Sequence, residues 1–215
     1  MGLPELITID IGGTPIAVRD SSTGTSLDKP PLVLLHGLGG SSQTWAFQFR
    51  ALAKDFRIIA WEMPGYGLSG GFERKNPTVE HYAHTLSAVL DTIGAFKAHV
   101  VGQSVGALIA ASYAAEYPEQ TLSYTFSQGL VGLSGLADEK RAAQRKFRLN
   151  SIREMGAERF AEEHGRKMLG PNTPPMVAEL AVTIMKRAPV PAMCLAVEMM
   201  AQTNFFEIAQ LIHFP

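Results

Sequence analysis

A serine stands at the centre of a glycine-rich pentapeptide in the middle of the chain. Residues 102–106 read Gly-Gln-Ser-Val-Gly; they directly follow an apolar run at 98–101 and open a run with the pattern of a helix. A strand that turns at once into a helix strains the backbone at the turn and pushes the central hydroxyl out over the sheet. Because strand and helix pass close together there, the positions two before and two after the serine must be small. The spacing therefore predicts that Ser104 is the nucleophile of an acyl-transfer reaction, in a turn supported by Gly102, Gln103 and Gly106.

The place of Ser104 at the start of a helix allows two interpretations. The helix dipole favours negative charge at that end, which suits a reaction in which negative charge develops there. A serine in a glycine-rich turn can also be a simple helix cap with no chemistry. The combination of strand, turn and helix around Ser104 favours the nucleophile.

The second glycine-rich segment ends an earlier buried strand. Residues 36–40 read His-Gly-Leu-Gly-Gly and follow the apolar run at 32–35. The tetrahedral intermediate of acyl transfer needs two hydrogen-bond donors aimed at its oxyanion, and these are usually backbone N–H groups. We expect Leu38 to supply one donor and Val105, the residue after the serine, to supply the other. The turn itself is expected to depend on its glycines, Gly37 and Gly39.

The chain offers no clear general base or catalytic acid. His36 precedes a glycine at a strand end, where a histidine that braces the turn through hydrogen bonds is favoured over a catalytic base,. His164 lies in a polar stretch and is interpreted as solvated, and His213 stands near the end of the sequence. We therefore assign neither a base nor an acid.

Alternating strand and helix patterns surround these two motifs. Apolar residues with a period of two on either side of Gly12 and Gly13 predict a hairpin, and residues 20–31 have the composition of a surface loop,. The remaining patterns predict buried strands at 32–35, 57–61, 98–101 and 121–126, and helices at 42–53, 78–93 and 105–117,. Strands that alternate with helices in this way predict an α/β fold with a mostly parallel sheet covered on both faces.

The pattern changes after residue 132, where no further strand is evident. Residues 133–210 are helical and rich in Met and Ala, and we interpret them as a helical cap over a core formed by residues 1–132. Residues 211–215 are interpreted as the start of a further core segment. Within the cap, helix breaks are predicted at 170–171, 174–175 and 189–191,.

Two groups of cap side chains bear on substrate binding. The cap methionines suit an adaptable apolar pocket, although a place in an ordinary helix core is favoured for most of them. They are Met155, Met168, Met176, Met185, Met193, Met199 and Met200. The cap also contains a basic run, for which a solvated helix face is favoured over a surface that binds an anionic substrate. Its members are Lys140, Arg141, Arg145, Lys146 and Arg148.

Three segments together resemble the α/β-hydrolase fold superfamily. They are HGLGG at 36–40, EMPGYGLS at 62–69 and GQSVG at 102–106. The middle segment is similar to the family's D-x-P-G-x-G-x-S turn, with Glu62 where Asp is commoner, and the likeness extends from about residue 5 to residue 130. The resemblance implies a Ser-His-Asp triad, a hydrolytic reaction, a helical cap after the sixth strand, no metal and no organic cofactor.

The sequence departs from this resemblance near its C-terminal end. In the family the catalytic acid follows the seventh strand and the histidine follows the eighth, whereas this sequence ends at Pro215. Relatives that carry the acid after the sixth strand would place it near 127–129, but no carboxylate occurs there before Asp138. We therefore expect a sequence truncated before the seventh strand. Residues 121–126 would then be an apolar edge strand, prone to aggregation or completed by another chain.

These features predict a serine hydrolase that cleaves a carboxylic ester or lactone of a small, fairly apolar substrate through an acyl-enzyme on Ser104. A carbon–carbon bond hydrolase with the same nucleophile and cap is an alternative, as is a related protein that binds a ligand without turnover. Haloalkane dehalogenation is disfavoured because Ser stands where that chemistry needs Asp. A dinucleotide-binding enzyme is disfavoured because Ser42 replaces the last glycine of a G-x-G-x-x-G motif that begins at Gly37,.

The composition limits the partners of the protein. Nineteen basic and twenty acidic residues give a net charge of −1, which indicates neither nucleic acid nor an anionic membrane surface as a partner. No apolar run reaches the roughly 18 residues of a transmembrane helix, and no secretory signal is visible. The single cysteine, Cys194, excludes an internal disulfide,. We expect a cytoplasmic protein that binds a small-molecule substrate, with a homo-oligomer as one option for its assembly.

Overall fold

The protein is built around one mixed β-sheet. A computed structural model describes residues 2–22 and 30–213. Within these residues six strands form the sheet: β1 (Leu6–Ile11), β2 (Thr14–Asp20), β3 (Pro31–Leu35), β4 (Arg57–Trp61), β5 (Ala98–Gln103) and β6 (Thr121–Ser127). Their order is β1-β2-β4-β3-β5-β6; the last four run parallel, and β2 is antiparallel to both β1 and β4. This topology confirms the predicted α/β class with a mostly parallel sheet.

The hairpin at the start of the chain turns at the predicted glycine pair. Ile11 of β1 pairs with Thr14 of β2, so that only Gly12 and Gly13 form the turn. Their φ angles are +59° and +88°. A two-residue turn with positive φ at both positions matches the twist of the flanking strands, and glycine adopts it without strain.

The loop predicted at 20–31 falls largely outside the described residues, at 23–29. Both of its ends belong to strands instead, because Asp20 closes β2 and Pro31 opens β3. Residues 214 and 215, which belong to the predicted final segment, also lie outside the described part of the chain.

Helices cover both faces of the sheet and explain why its central strands are continuous apolar runs. Leu32 and Leu34 of β3 pack with Phe49 of α1 (Ala46–Leu52) on one face. Val33 and Leu35, the alternate residues of β3, pack on the other face with α2 (Val79–Thr92) and α3 (Val105–Glu116). Side chains of a strand alternate between the two faces, so a strand buried on both sides has no polar positions.

The ends of the helices follow local capping. The helix predicted at 42–53 begins as a 3-10 turn, Ser42–Trp45, before α1 starts. The Ser41 side chain accepts from the backbone N–H of Gln43, and Thr44 Oγ1 accepts from the N–H of Ser41, which fixes this tight first turn,. The predicted stop after α2 is confirmed: Gly94 follows the helix with φ +67°,.

Further helices follow β6, and among the described residues no strand does. They are α4 (Asp138–Phe160), α5 (Pro175–Met185), α6 (Val190–Gln202) and α7 (Phe205–Ala209). α4 packs against α6 and is broken at Gly156, where φ is +64° and ψ is 178°. The predicted breaks are confirmed, with Pro175 and Pro191 in the first turns of α5 and α6. Proline fits there because a first-turn N–H has no intrahelical acceptor.

Strand β6 forms one edge of the sheet. In the described part of the chain it pairs with β5 alone, and Leu122 and Phe126 are 45% and 36% exposed. The edge position expected for 121–126 is therefore observed.

Taken singly, none of the described helices has the length and apolar character needed to cross a membrane; α5 and α6, bent by 93° at their junction, meet those criteria only when counted together.

Candidate active site

Ser104 occupies a strained turn between β5 and α3. Its φ of +57° and ψ of −120° are rare for a residue with a side chain. A Cβ added to Gly102 would lie 2.3 Å from the carbonyl oxygen of Gly106, and one added to Gly106 would lie 2.4 Å from that of Leu35. No side chain fits at either position, which confirms the steric reason for glycine two residues before and two after Ser104. Such strain costs about 1–3 kcal/mol and persists only where the surroundings impose it.

The turn at 36–40 lies directly against Ser104. A Cβ on Gly37 would be 3.0 Å from the Cβ of Ser104 and 2.5 Å from Oε1 of Gln103. The turn is closed by a hydrogen bond of 2.9 Å from the N–H of Gly40 to the carbonyl of Gly37. The same turn meets α5, because a Cβ on Gly39 would be 2.7 Å from Cγ of Met185. Gly37 and Gly39 thus allow the turn to lie close to Ser104 and to α5.

The two predicted oxyanion donors are available. Leu38 and Val105 both line the cavity that contains Ser104. Neither of their backbone N–H groups donates to another residue within the described ranges. Val105 is the first residue of α3, where an N–H has no intrahelical acceptor,. Both N–H groups are therefore without an acceptor among the described residues.

His36 supports the turn and is not placed as a base. It is fully buried; its Nε2 accepts from the N–H of Met63 at 3.0 Å, and its Nδ1 donates to the carbonyl of Gly37 at 2.9 Å. Burial lowers the pKa of His36 because the charged imidazolium would lose its hydration,. His36 is therefore a neutral imidazole with both nitrogens engaged, as the sequence interpretation expected.

Tyr66 is a site residue that the sequence analysis did not single out. Its hydroxyl donates to the carbonyl of Leu38 at 2.7 Å, and its ring meets His36 edge-on at 5.0 Å. Burial raises the pKa of Tyr66 well above its usual range, so the phenol stays protonated as a donor. Tyr66 thus fixes the peptide that follows Leu38. Its only sequence signal is its place in the segment 62–69.

Glu62, the other unusual residue of that segment, serves the framework. Its Oε1 accepts from the N–H of Ser42 at 3.1 Å and from its hydroxyl at 2.6 Å. The guanidinium Nε of Arg19 donates to the same hydroxyl at 2.9 Å. Glu62 therefore anchors the 3-10 turn that precedes α1, and neither of these two hydrogen bonds involves Ser104.

Ser104 opens into a cavity of about 670 Å³ that is also lined by the turn at 36–40 and by residues of α4, α5 and α6. Its walls are mainly apolar side chains, among them Phe160, Leu180, Ile184, Val197 and Met200. The polar side chains that reach it are Thr44, Gln103, Gln128 and Arg148, besides Ser104 itself. A largely apolar cavity with a few polar groups near a reactive hydroxyl is the usual form of a small-molecule site.

The seven methionines singled out in residues 133–210 lie in different environments. Met168, Met185 and Met200 line the cavity. Met193 and Met199 are fully buried in the main core instead, and Met176 is 77% exposed. Met200 also belongs to the main buried core and Met185 to a smaller buried cluster. Four of the seven are therefore buried core residues, as favoured for most of them, and two of these four also line the cavity.

The remaining histidines considered from the sequence do not meet Ser104. His164 lies in a π-helical turn, Ala161–Gly165, where its ring packs 4.7 Å from that of Phe160, and His213 is exposed. In residues 2–22 and 30–213 no histidine or carboxylate forms a hydrogen bond with Ser104 Oγ. The same ranges contain no group of three or more His, Cys, Asp or Glu side chains placed to hold a metal ion.

Comparison with known proteins places this site in a family. Residues 30–171 match the model of the α/β hydrolase fold. A 2-hydroxy-6-oxononadienedioate/2-hydroxy-6-oxononatrienedioate hydrolase of Paraburkholderia phymatum is 38% identical over 125 residues, which cover 56% of this chain and 43% of the relative. The acetyltransferase component of the acetoin cleaving system of Pseudomonas putida is 33% identical over 108 residues, 50% of this chain and 28% of that protein.

The fold is shared with solved structures over most of the chain. A thermophilic esterase from Thermogutta terrifontis has a TM-score of 0.76 at 22% identity, covering 93% of this chain and 73% of the esterase. The chain spans less than half the length of the two curated relatives above. With the strained serine turn, the glycine-rich turn beside it and a family match over residues 30–171, the chain belongs to the α/β-hydrolase fold family.

Proposed function

We propose that this chain carries the nucleophile, the oxyanion donors and the cap of a serine hydrolase that cleaves a carboxylic ester or lactone of a small, largely apolar substrate. The observation that carries the proposal is the strained backbone of Ser104 at the mouth of an apolar cavity, with two free backbone N–H groups beside it. Membership of a family of hydrolases supports the reaction class.

In the proposed reaction Ser104 Oγ attacks the substrate carbonyl carbon. The carbonyl oxygen becomes an oxyanion that accepts hydrogen bonds from the N–H groups of Leu38 and Val105. Collapse of this intermediate breaks the bond to the leaving oxygen and forms an acyl-enzyme, and water then attacks the acyl carbon and releases the acid. The N-terminus of α3 adds a favourable dipole beneath the developing charge.

The hydroxyl proton of Ser104 must reach the leaving oxygen through a base, which the family resemblance assigns to a triad histidine. No described histidine forms a hydrogen bond with Ser104 Oγ. A site with nucleophile and oxyanion donors alone keeps only about 10³–10⁴-fold acceleration over water. We therefore expect full turnover to require a base beside Ser104 that the described residues do not supply.

Residues 133–210 act, in this proposal, as the cap that closes the cavity. Ile184 of α5 and Val197 of α6 line the same cavity as the turn at 36–40, and Met185 of α5 lies against Gly39. An apolar cover of this kind excludes water and strengthens the hydrogen bonds to the oxyanion. The apolar walls favour an apolar acyl group.

A carbon–carbon bond hydrolase is a second candidate. It is favoured by one observation, the 38% identity over 125 residues to a relative named as a hydrolase of 2-hydroxy-6-oxononadienedioate. The same serine, oxyanion donors and cap serve that reaction. Assaying short acyl esters, lactones and β-diketones side by side distinguishes the two, because only the second candidate cleaves the diketones preferentially.

Labelling with a fluorophosphonate tests the nucleophile. We expect the wild-type chain to form a covalent adduct over hours at high reagent concentration, and Ser104→Ala to form none. Ser151→Ala, a half-buried serine on α4 outside the cavity lining, is the matched control and should label as the wild type does. A folded wild-type sample that stays unlabelled would refute the proposed catalytic role.

A further inference from the structure

The cavity beside Ser104 contains a charged side chain for which the proposed reaction has no use. Arg148 of α4 is half-buried and lines the cavity. Every other described residue that lines it is uncharged. A guanidinium stays protonated under all ordinary conditions, and partial burial in an apolar wall costs free energy unless an anion or hydrogen-bond acceptor faces it.

The position of Arg148 on its helix explains why it faces inward. Ile152 lies four residues later and is almost fully buried in the main core. Side chains four positions apart share one face of a helix, so Arg148 extends from the same face as Ile152. Arg148 therefore lies on the inward face of α4, where it lines the cavity.

Arg148 has no anionic partner of its own. The residues one turn away on α4 are Gln144, Arg145, Ser151 and Ile152, none of them acidic. No ion pair or hydrogen bond joins Arg148 to any residue in the described ranges of the chain. Its charge is therefore compensated only by solvent or by what enters the cavity.

Other members of the basic run are different. Arg141 pairs with Asp138 at 2.7 Å, and Arg145 forms a hydrogen bond of 2.6 Å to Glu198. Both line a separate surface pocket and not the cavity of Ser104. The solvated helix face expected from the sequence thus describes the rest of the run, while Arg148 is the exception.

We propose that Arg148 binds a carboxylate of the substrate, so that the site takes an ester or lactone with a second, ionised carboxyl group at the end of an apolar body. This inference rests on the proposed function of Ser104 as nucleophile. The planar guanidinium donates two parallel N–H bonds to a carboxylate, and the apolar cavity walls make that pair stronger than it is in water. Arg148 thereby positions the substrate while the walls hold its apolar part.

Binding measurements on a chain that cannot turn over substrate test this directly. Monomethyl adipate and dimethyl adipate have nearly the same shape and differ in one ionised carboxylate. In the Ser104→Ala background at pH 7.5, we expect calorimetric titration to show tighter binding of the monoester by about 10- to 100-fold, the usual strength of a hydrogen bond to a charged group. Lys146→Met, an exposed basic residue of α4, is the control and should keep this preference.

Substitution of Arg148 decides the outcome. Arg148→Met and Arg148→Gln should bind the two adipate esters equally, and Arg148→Lys should keep part of the preference. Two neutral replacements are used so that a folding defect in one leaves the other to decide. The inference is overturned if the monoester is not preferred, if neither ester binds, or if the preference survives both neutral replacements.

The nucleophile is assessed separately, by fluorophosphonate labelling of the wild-type chain. Labelling of Ser104 without a preference for the monoester would overturn the role of Arg148 and leave the hydrolase proposal standing. A preference for the monoester that depends on Arg148, without labelling of Ser104, would support carboxylate binding by Arg148 and overturn the hydrolase proposal.

Discussion

Replacing Gly106 by alanine tests the steric basis of the serine turn. The new methyl carbon would lie 2.4 Å from the carbonyl oxygen of Leu35 and 2.6 Å from that of His36, where ordinary contact begins near 3.4 Å. Relief therefore requires α3 and β3 to move apart by about 1 Å. Neither segment moves without cost, because both neighbours are backbone atoms, at the end of central strand β3 and in the turn that follows it, and α3 is buried along most of its length. Overpacking in such places costs about 1–3 kcal/mol, and we expect the upper end.

For a chain of this size, about 3 kcal/mol lowers the melting temperature by roughly 6–12 °C. Circular dichroism melts of wild type and Gly106→Ala measure this shift, and fluorophosphonate labelling measures the accompanying displacement of Ser104. Gly71→Ala is the matched control, since its Cβ would meet nothing nearer than 3.8 Å. A Gly106→Ala chain that melts within 2 °C of wild type and labels at the same rate would refute the reasoning.

Stability should also respond to substitutions at Tyr66, His36 and Asp20. Tyr66→Phe removes the donor to the Leu38 carbonyl and leaves that acceptor buried, so stability should fall by about 1–3 kcal/mol and Ser104 should label more slowly; unchanged labelling would show that Tyr66 does not position the turn,. Burial lowers the pKa of His36, so the unfolded chain takes up a proton at this residue more readily than the folded protein does,. The free energy of unfolding should therefore be highest above the unfolded-state pKa near 6.5 and should fall as the pH drops below it. Thermal melts from pH 7.5 to 5.5 should show this decline, with a smaller slope in His36→Gln. Asp20→Asn breaks the buried 2.6 Å ion pair with Arg57 and should cost about 3–5 kcal/mol in urea unfolding,. Asp55→Asn, in an exposed pair with Lys54, should cost no more than about 1 kcal/mol,.

Much of the fold was predictable because its signals are local. Buried central strands appear as continuous apolar runs, so β4 was predicted with the bounds that the structure has. The 3-10 turn at Ser42–Trp45 was missed because it depends on side-chain capping by Ser41 and Thr44 rather than on apolar spacing. The break of α4 at Gly156 was missed for a similar reason, since one glycine within a helical pattern is compatible with either continuation or a kink,.

The site was predictable where backbone sterics dictate residue type. Only glycine fits where β5 and α3 converge, so the sequence alone located Ser104 and its flanking residues. The environments of Tyr66 and Arg148 come from segments far away in the chain. Tyr66 donates to the carbonyl of Leu38, and Arg148 lines a cavity formed by several helices. Nothing in their local sequence distinguishes a buried phenol from a core aromatic, or a cavity-lining guanidinium from a solvated one.

Mapping the site of covalent modification tests the central claim most directly. After fluorophosphonate treatment and tryptic digestion, Ser104 lies in the peptide 98–140 together with other serines. Tandem mass spectrometry of that peptide should place the phosphonyl group on Ser104 alone, and heat-denatured protein should give no adduct. A phosphonyl group on another serine, or equal modification of the denatured protein, would contradict the account.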